Sequence, residues 1–260
     1  MRKSKMLTKF RNGSSARVCA MGHMLPFFIR YAAHYNYDGI WLDLEHRTLT
    51  DREVQYLIAL CRAADIDCMV RPSTREAARL YRYLEDGATG FLMPHVSDAE
   101  TAYAIVQASK FPPVGNRGLD GAGQDGDFGI AAWREGGNFT DDANRETFVI
   151  TQVETLEAVA NAAEIASIPG IDGLFVGPAD LGLRIRTASS VDKPSLEEAI
   201  ETVAAAAEAH GKVWGIAVGS KEEFLRYRDM GAKLIPWGGD FALREMLRRS
   251  SEELGLMLSD

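Results

Sequence analysis

The chain has 260 residues, of which 46% are hydrophobic and 25% are charged. This composition is typical of a globular protein with a full-sized hydrophobic core. The formal net charge of −8 argues against a nucleic acid or an anionic membrane surface as the main partner.

The three cysteines, Cys19, Cys61 and Cys68, are odd in number and lack C-x-x-C spacing. This pattern argues against both a disulfide framework and a cysteine metal site. No stretch has the length and hydropathy of a transmembrane span, and the basic start is not followed by the apolar run of a signal peptide. We therefore expect a cytoplasmic protein.

Short β-rich runs alternate with amphipathic helices along the chain. Strands are predicted at Arg17 to Gly22, Gly39 to Asp43, Asp67 to Arg71, Gly90 to Pro94, Phe148 to Val153, Gly173 to Gly177, Val213 to Val218 and Lys233 to Trp237. Helices are centred on Phe28, Leu57, Leu80, Ala104, Ala160, Ala204 and Phe224, and a last helix runs from Phe241 toward Leu254. Eight such units predict an α/β fold, a (β/α)₈ TIM barrel formed as a single domain by residues 1–260. An open doubly wound sheet is less favoured, because no glycine-rich dinucleotide fingerprint follows the first strand.

A long glycine-rich segment between Phe111 and Thr147 interrupts this alternation. Loops of this length are often functional. The segment follows a helix and so begins on the amino-terminal side of the barrel. It would take part in chemistry only by crossing to the other side or by reaching a neighbouring subunit. We keep two interpretations, a lid and a surface or subunit contact.

Two carboxylates end neighbouring strands of the predicted barrel. Glu154 ends the fifth strand, with Gln152 on the same side, and Asp180 follows the sixth. The carboxyl ends of parallel neighbours meet at one face, so the carboxylates should converge and need a shared proton or a bound cation. Oxygen ligands suit Mg²⁺ or Mn²⁺, completed by waters and substrate oxygens. The alternative is that each carboxylate caps the helix that follows it.

Other polar residues also end the predicted strands, at the face where barrel enzymes carry their chemistry. They are His23, Asp43, Glu45, His46, Arg71, His95 and Asp240. A zinc site formed by His23, His46 and His95 is an alternative that we rank lower, because the sequence does not show the carboxylate that usually supports each zinc-bound histidine.

Arg71 and His46 complete a predicted site for an α-keto acid. Arg71 could hold a carboxylate or an enolate oxygen by two hydrogen bonds, or form an ion pair with Asp43 or Glu45. His46 suits proton transfer near neutral pH, although a structural role is the alternative. A cation, a guanidinium and a base together indicate metal-assisted making or breaking of a carbon–carbon bond. None of the lysines is well placed for a Schiff base.

Five strings of the chain resemble the metal-dependent class II pyruvate aldolases of the HpcH/HpaI family, in the phosphoenolpyruvate/pyruvate barrel superfamily. They are Trp41 to His46, Val70-Arg71-Pro72, Leu92-Met93-Pro94, Gln152-Val153-Glu154-Thr155 and Gly177-Pro178-Ala179-Asp180-Leu181. The resemblance implies a lyase that reversibly cleaves a 4-hydroxy-2-oxo acid to pyruvate and an aldehyde. It implies that Glu154 and Asp180 bind a divalent cation, with Mg²⁺ or Mn²⁺ preferred and Co²⁺ or Zn²⁺ as alternatives.

The same resemblance implies roles for the neighbouring residues. Gln152, Asp180 and the backbone around Ala179 would hold the pyruvate moiety, Arg71 would stabilise the enolate and His46 would be the base. Glu85, where the family commonly has aspartate, would raise the basicity of His46 and would reach it most easily from another subunit. The family's hexamers, trimers of dimers with an exchanged last helix, imply a homo-oligomer here.

The chain departs from the family pattern in two segments. The long loop reads Arg117-Gly118-Leu119-Asp120 where family members often read Arg-Gly-Val-Gly, so acceptor specificity should differ. Arg184 and Arg186 follow Asp180 where a turn rich in serine and glycine is usual, and they either bind an anionic aldehyde or cover a subunit surface.

Two other functions are compatible with the sequence. A citryl or malyl acyl-CoA lyase of the same superfamily typically reads Asp-Leu-Glu-Asp where this chain has Asp43-Leu44-Glu45-His46, so the histidine favours the aldolase. A non-catalytic barrel that binds a keto acid is opposed by the complete set of site residues, His46, Arg71, Glu154 and Asp180.

Overall fold

A computed structural model describes residues 1–190 and 192–259 and contains one sheet of seven parallel strands in sequential order. The strands are β1 (Val18–Met21), β2 (Gly39–Asp43), β3 (Asp67–Arg71), β4 (Gly90–Met93), β5 (Phe148–Val153), β6 (Gly173–Val176) and β7 (Val213–Ile216). The helices are α1 (Lys5–Arg11), α2 (Pro26–His34), α3 (Asp51–Ala63), α4 (Ala77–Glu85), α5 (Ala99–Ser109), α6 (Phe139–Glu146), α7 (Leu156–Ala160), α8 (Ala162–Ser167), α9 (Pro178–Thr187), α10 (Leu196–Ala209), α11 (Lys221–Asp229) and α12 (Ala242–Met257).

The predicted eighth strand is not a regular strand. Leu234 makes single β-bridges to Gly215 of β7 and to Ala16, and Gly239 bridges to Ala20 of β1. The segment therefore contacts both edges of the curled sheet, but its ladder is broken. Pro236 cannot donate a ladder hydrogen bond, and Gly238 has a φ of +82°. The prediction of eight regular strands is corrected to seven within a parallel α/β barrel architecture.

Both faces of the sheet are buried, because alternate strand residues point to opposite sides. One set packs inside the curled sheet and the other against the helices. The inner set includes Val18, Trp41, Met69, Leu92 and Phe175. Every residue of β2 to β6 is buried, which explains the near-continuous apolar runs in the sequence.

The amino-terminal end of the barrel is closed by α1, a helix that the sequence pattern did not predict. Met6 and Leu7 of this helix belong to the inner core. Ser4 caps the helix by accepting from the Leu7 N–H, and its hydroxyl donates to Asp67 Oδ2 at 2.7 Å. The helix has seven residues, too few for a clear apolar period.

Three other differences from the predicted helices affect the site or the loop. The helix expected around Ala160 is divided at Asn161 into α7 and α8. Two further helices were not predicted: α6 forms the end of the long loop, and α9 follows β6 directly and carries Asp180.

The long loop lies on the amino-terminal side of the barrel. Arg117 and Asp125 form a buried ion pair at 2.5 Å, and the Gln124 N–H donates to the carbonyl oxygen of Glu85 at the end of α4. Within this chain these contacts hold the loop away from the carboxyl ends of the strands. They favour a surface or subunit contact over a lid that crosses its own barrel.

In the part of the chain that the structure describes, none of the helices is long and apolar enough to cross a membrane.

Candidate active site

The carboxyl ends of β5 and β6 bring Gln152 and Glu154 beside α9. The two strands are parallel neighbours, as predicted, with Val153 opposite Val176. Gln152 Nε2 donates to Glu154 Oε1 at 2.5 Å, which confirms that both side chains lie on one side of the strand. A Cβ on Gly177 would lie 2.7 Å from Glu154 Oε1, so only glycine leaves room for this carboxylate.

Asp180 lies in the first turn of α9, one turn before Arg184. Arg184 Nη1 donates to Asp180 Oδ1 at 3.1 Å and to the carbonyl oxygen of Glu154 at 3.2 Å. One guanidinium nitrogen therefore joins the two predicted metal-binding residues. The side chain of Asp180 is 44% exposed, so its carboxylate is open to the mouth of the barrel. Its position in the first turn also suits the positive end of the helix dipole.

The surroundings of Glu154 disfavour the ionised form of its carboxylate. Glu154 is 2% exposed, and burial raises its pKa above the ordinary value of 4.5, with His95 opposing the shift and the negative charges of Glu45 and Asp180 adding to it. The hydrogen bonds that Glu154 accepts from Gln152 Nε2 and the His95 N–H do not fully offset its burial. A bound cation or a proton would supply the remaining compensation, as the sequence spacing predicts.

Arg71 at the end of β3 forms the ion pair that was the alternative interpretation of this residue. Its Nε and Nη2 donate to the two carboxylate oxygens of Asp43 at 2.9 Å each, and its Nη1 lies 3.0 Å from Glu45 Oε2. Burial would raise the pKa of Asp43, but the hydrogen bonds and charge of Arg71 outweigh it and lower that pKa. The guanidinium also lies over the Trp41 ring at 4.9 Å. Arg71 is thus held rigidly at the mouth.

His46 and His95 both lie next to Glu45. His46 Nε2 is 3.5 Å from Glu45 Oε2, and its side chain is 56% exposed. His95 lies between Glu45 and Glu154: its Nε2 is 2.9 Å from Glu45 Oε1, and its Nδ1 is 3.3 Å from Glu154 Oε2. Its backbone N–H also donates to Glu154, from a left-handed conformation with φ of +54°. The mouth therefore contains a continuous series of polar contacts from Arg71 through Glu45 and His95 to Glu154.

The remaining predicted residues lie elsewhere. Ala179 is in the first turn of α9, beside Asp180. Glu85 ends α4 on the amino-terminal side, where burial raises its pKa above 4.5 and its carbonyl accepts from the loop. Within a single chain it is not part of the cluster at the mouth. His23 pairs with the buried Asp240, Nδ1 to Oδ2 at 2.7 Å.

The donor set fits a hard cation better than zinc. Of the three histidines of the zinc alternative, His46 and His95 contact Glu45 and His23 contacts Asp240, and no group of three or more metal-ligating residues is found among residues 1–190 and 192–259. Glu154 and Asp180 offer oxygen donors, and the buried Gln152 Oε1 has no hydrogen-bond partner among the residues that the structure describes. Such an open oxygen site suits an ion that takes its remaining ligands from water and substrate.

Two features of this site were not predicted from the sequence. Arg184 was expected to bind an anionic aldehyde or to cover a subunit surface, and its contacts with Asp180 and Glu154 were not predicted because α9 was not. The signal was present: Gly177 followed by Pro178 is a helix start, and Asp180 and Arg184 are spaced for an i,i+4 pair. The His95 bridge had no local signal, since its partners are distant in the chain.

Comparison with known proteins gives the family. Residues 23–244 match the HpcH/HpaI aldolase/citrate lyase family. The chain belongs to this family. A 4-hydroxy-2-oxo-heptane-1,7-dioate aldolase from Salmonella heidelberg is 32% identical over 218 residues, which are 84% of this chain and 80% of the relative. The predicted family is thus confirmed, and with it the predicted class of enzyme, a lyase of the aldolase type.

Solved structures agree with this membership. An HpcH/HpaI aldolase from Desulfitobacterium hafniense superposes with a TM-score of 0.84 at 28% identity, covering 96% of each chain. The citrate synthase SbnG superposes with a TM-score of 0.81 at 25% identity, covering 99% of this chain and 98% of that one. The barrel architecture therefore extends over nearly the whole length of this family member.

Proposed function

We propose that this enzyme reversibly cleaves a 4-hydroxy-2-oxo acid to pyruvate and an aldehyde. The observation that carries the proposal is the cluster at the barrel mouth, where Glu154 and Asp180 share one arginine nitrogen and Arg71 lies beyond Glu45 and His95. The dioate named for the Salmonella relative is the first substrate to test.

The proposed metal ligands are Glu154 and Asp180. The raised pKa of Glu154 indicates a carboxylate that a cation would stabilise, and oxygen donors favour Mg²⁺ or Mn²⁺, with Co²⁺ or Zn²⁺ as weaker candidates. A bound divalent cation would polarise the keto oxygen and stabilise the negative charge of the pyruvate enolate.

The remaining steps use side chains of the chain itself. Gln152 and the amide groups around Ala179 would bind the pyruvate moiety, and Arg71 would stabilise the enolate oxygen. His46 would remove the proton of the 4-hydroxyl group, the bond between C3 and C4 would break, and its electron pair would form the enolate as the aldehyde leaves. Protonation at C3 would then give pyruvate.

We also propose a homo-oligomer, a hexamer built as a trimer of dimers, with residues 1–260 of each subunit forming one domain. The last helix, α12, supports this proposal: none of its residues is buried, yet Met246, Leu247 and Leu254 are apolar. An exchange of this helix between subunits would cover them. A neighbouring subunit would also bring Glu85 to His46. Three buried, unpaired cysteines support a cytoplasmic location.

The deciding experiment measures pyruvate release from a panel of 4-hydroxy-2-oxo acids, each with Mg²⁺, Mn²⁺, Co²⁺ and Zn²⁺. Metal-free enzyme should be inactive, and added metal should restore the rate. His46→Ala should lower kcat by about 10³-fold, within the range for a general base, and Arg71→Ala should lower it at least as much.

Three outcomes would contradict parts of the proposal. Full activity in metal-free enzyme would exclude the metal mechanism, and full activity of His46→Ala would exclude His46 as the base. Cleavage of a CoA thioester without cleavage of any free acid would favour the citryl or malyl type. Stabilisation by pyruvate and metal without turnover of any acid would favour a binding protein.

A further inference from the structure

Arg184 lies at the edge of the proposed metal site, but only one of its guanidinium nitrogens contacts the residues of that site. Its Nη1 makes both of its hydrogen bonds, one to Asp180 Oδ1 at 3.1 Å and one to the carbonyl oxygen of Glu154 at 3.2 Å. Within residues 1–190 and 192–259, Nε and Nη2 make no hydrogen bond. The side chain is 38% exposed and lies beside Asp180, whose carboxylate is open to the mouth.

Arg71, the other arginine at the barrel mouth, has no guanidinium nitrogen left without a contact. Arg71 is buried, and all three of its nitrogens contact carboxylate oxygens of Asp43 or Glu45. A guanidinium binds carboxylate best through two parallel donors, and Arg71 has no such pair left. Arg184 does, because its single anchoring nitrogen fixes the group and leaves two donors available.

The site offers few hydrogen-bond donors to an anionic group at the far end of a substrate. Arg71 contacts Asp43 and Glu45, whereas Arg184 contacts the site through Nη1 alone. A guanidinium with two free donors, one helical turn from Asp180, is positioned to meet such a group.

We propose that Arg184 is a specificity residue that selects substrates with a carboxylate at the aldehyde-derived end. This inference rests on the proposed function, since it assumes that the 2-oxo acid end is held at Glu154 and Asp180. Nη2 and Nε of Arg184 donate to the distal carboxylate, while Nη1 keeps its bonds to the two metal-site residues.

The test compares two acids that differ only in the distal group. Both 2-oxoheptanedioate and 2-oxoheptanoate lack a 4-hydroxyl group, so neither is cleaved by the proposed reaction. Their dissociation constants are measured by calorimetry with Mn²⁺-loaded wild type, Arg184→Ala, Arg184→Lys and Arg186→Ala. Arg186 is an exposed arginine of the same helix and serves as the matched control.

Wild type should bind the dioate more tightly than the monoacid. Arg184→Ala should reduce this preference about tenfold, which corresponds to one charge-assisted hydrogen-bonded pair of about 1.4 kcal/mol. Arg184→Lys should recover part of it, and Arg186→Ala should keep it. The affinity for Mn²⁺ alone, measured without acid, should fall far less than the affinity for the dioate.

Three other results would contradict the proposal for Arg184, each in a different way. An unchanged preference in Arg184→Ala, or an equal loss in Arg186→Ala, overturns the specificity role. A fall in Mn²⁺ affinity that matches the loss of dioate binding makes Arg184 a positioning residue for Asp180 instead. Failure of wild type to bind either acid overturns the proposed function, and the inference with it.

Discussion

The two ends of the barrel both contain a buried carboxylate, but Asp67 at one end and Glu154 at the other differ in how well the surrounding groups compensate their charge. At the amino-terminal end, Asp67 is fully buried and accepts from the Ser4 hydroxyl, the Met6 N–H and Arg2. At the carboxyl end, Glu154 is almost as buried, yet its pKa is raised. In the described part of the chain, the neighbouring Gln152 Oε1 has no hydrogen-bond partner.

This difference indicates that Asp67 contributes to stability and Glu154 to function. A buried carboxylate whose hydrogen bonds outweigh its burial stabilises the fold, whereas one whose pKa stays raised costs stability when ionised and indicates a ligand. Asp67 ties α1 to β3 and closes the barrel. The ionised Glu154 would be stabilised by a positive charge from a bound cation.

The largest expected effect is on activity, at Glu154. Glu154→Gln keeps the shape but removes the charge of a metal ligand, so kcat/KM should fall by about 10³-fold, since a bound cation supplies several kcal/mol. Thermal unfolding of the metal-free variant should occur at the same temperature as wild type or higher. A clear loss of stability would show that Glu154 is structural, as Asp67 is.

Asp67→Asn should have the opposite profile. Loss of the charge removes the buried anionic partner of Arg2 and places the new amide nitrogen against the Ser4 hydroxyl or the Met6 N–H, which are also donors, so the free energy of unfolding should fall by about 3 kcal/mol. The kcat of the folded protein should be retained. Asp65→Asn is the matched control: Asp65 also contacts Arg2 but is exposed, so a loss below about 1 kcal/mol is expected from urea unfolding. Equal losses in both variants would remove the distinction.

A smaller effect is expected at Gly177. Gly177→Ala would place a Cβ 2.7 Å from Glu154 Oε1, so the carboxylate must move and Mn²⁺ affinity should fall about tenfold. Gly182→Ala in α9 is the control, because its Cβ would meet nothing closer than Arg186 Nη1 at 3.4 Å. Wild-type affinity in Gly177→Ala would mean that the site tolerates a displaced Glu154.

The smallest effect is a change in the pH dependence of stability from Lys110, on the amino-terminal side. Its ammonium group contacts the carbonyl oxygens of Asn144 and Thr147, and burial lowers its pKa below the ordinary value of 10.5. Between the lowered pKa and 10.5, the unfolded chain binds more protons than the folded protein. The free energy of unfolding should therefore rise with pH through this window, relative to Lys110→Met.

The measurement is urea unfolding at several alkaline pH values. Lys9→Met, on the exposed part of α1, should keep the wild-type slope. A wild-type slope in Lys110→Met would show that Lys110 has an ordinary pKa in the folded protein.

Local patterns were sufficient for the elements that depend on short-range periodicity. The apolar runs of β2 to β6 predicted those strands, because each is buried on both faces. Local patterns gave wrong predictions where tertiary contacts decide the structure. The segment from Lys233 to Trp237 has strand-like residues, but Pro236 and Gly238 break its ladder. The short helices α1 and α9 are stabilised by what they contact and not by their own periodicity.

The sequence by itself determined the parallel α/β architecture, the family resemblance and the candidate residues at the strand ends, since strand spacing and residue type are local properties. Only the tertiary structure decided which charges meet: that Asp43 and Glu45 occupy Arg71, that His95 joins Glu45 to Glu154, and that Arg184 keeps a free edge. Pairing between distant residues depends on the curvature of the sheet and the start of each helix, and no short stretch of sequence contains that information.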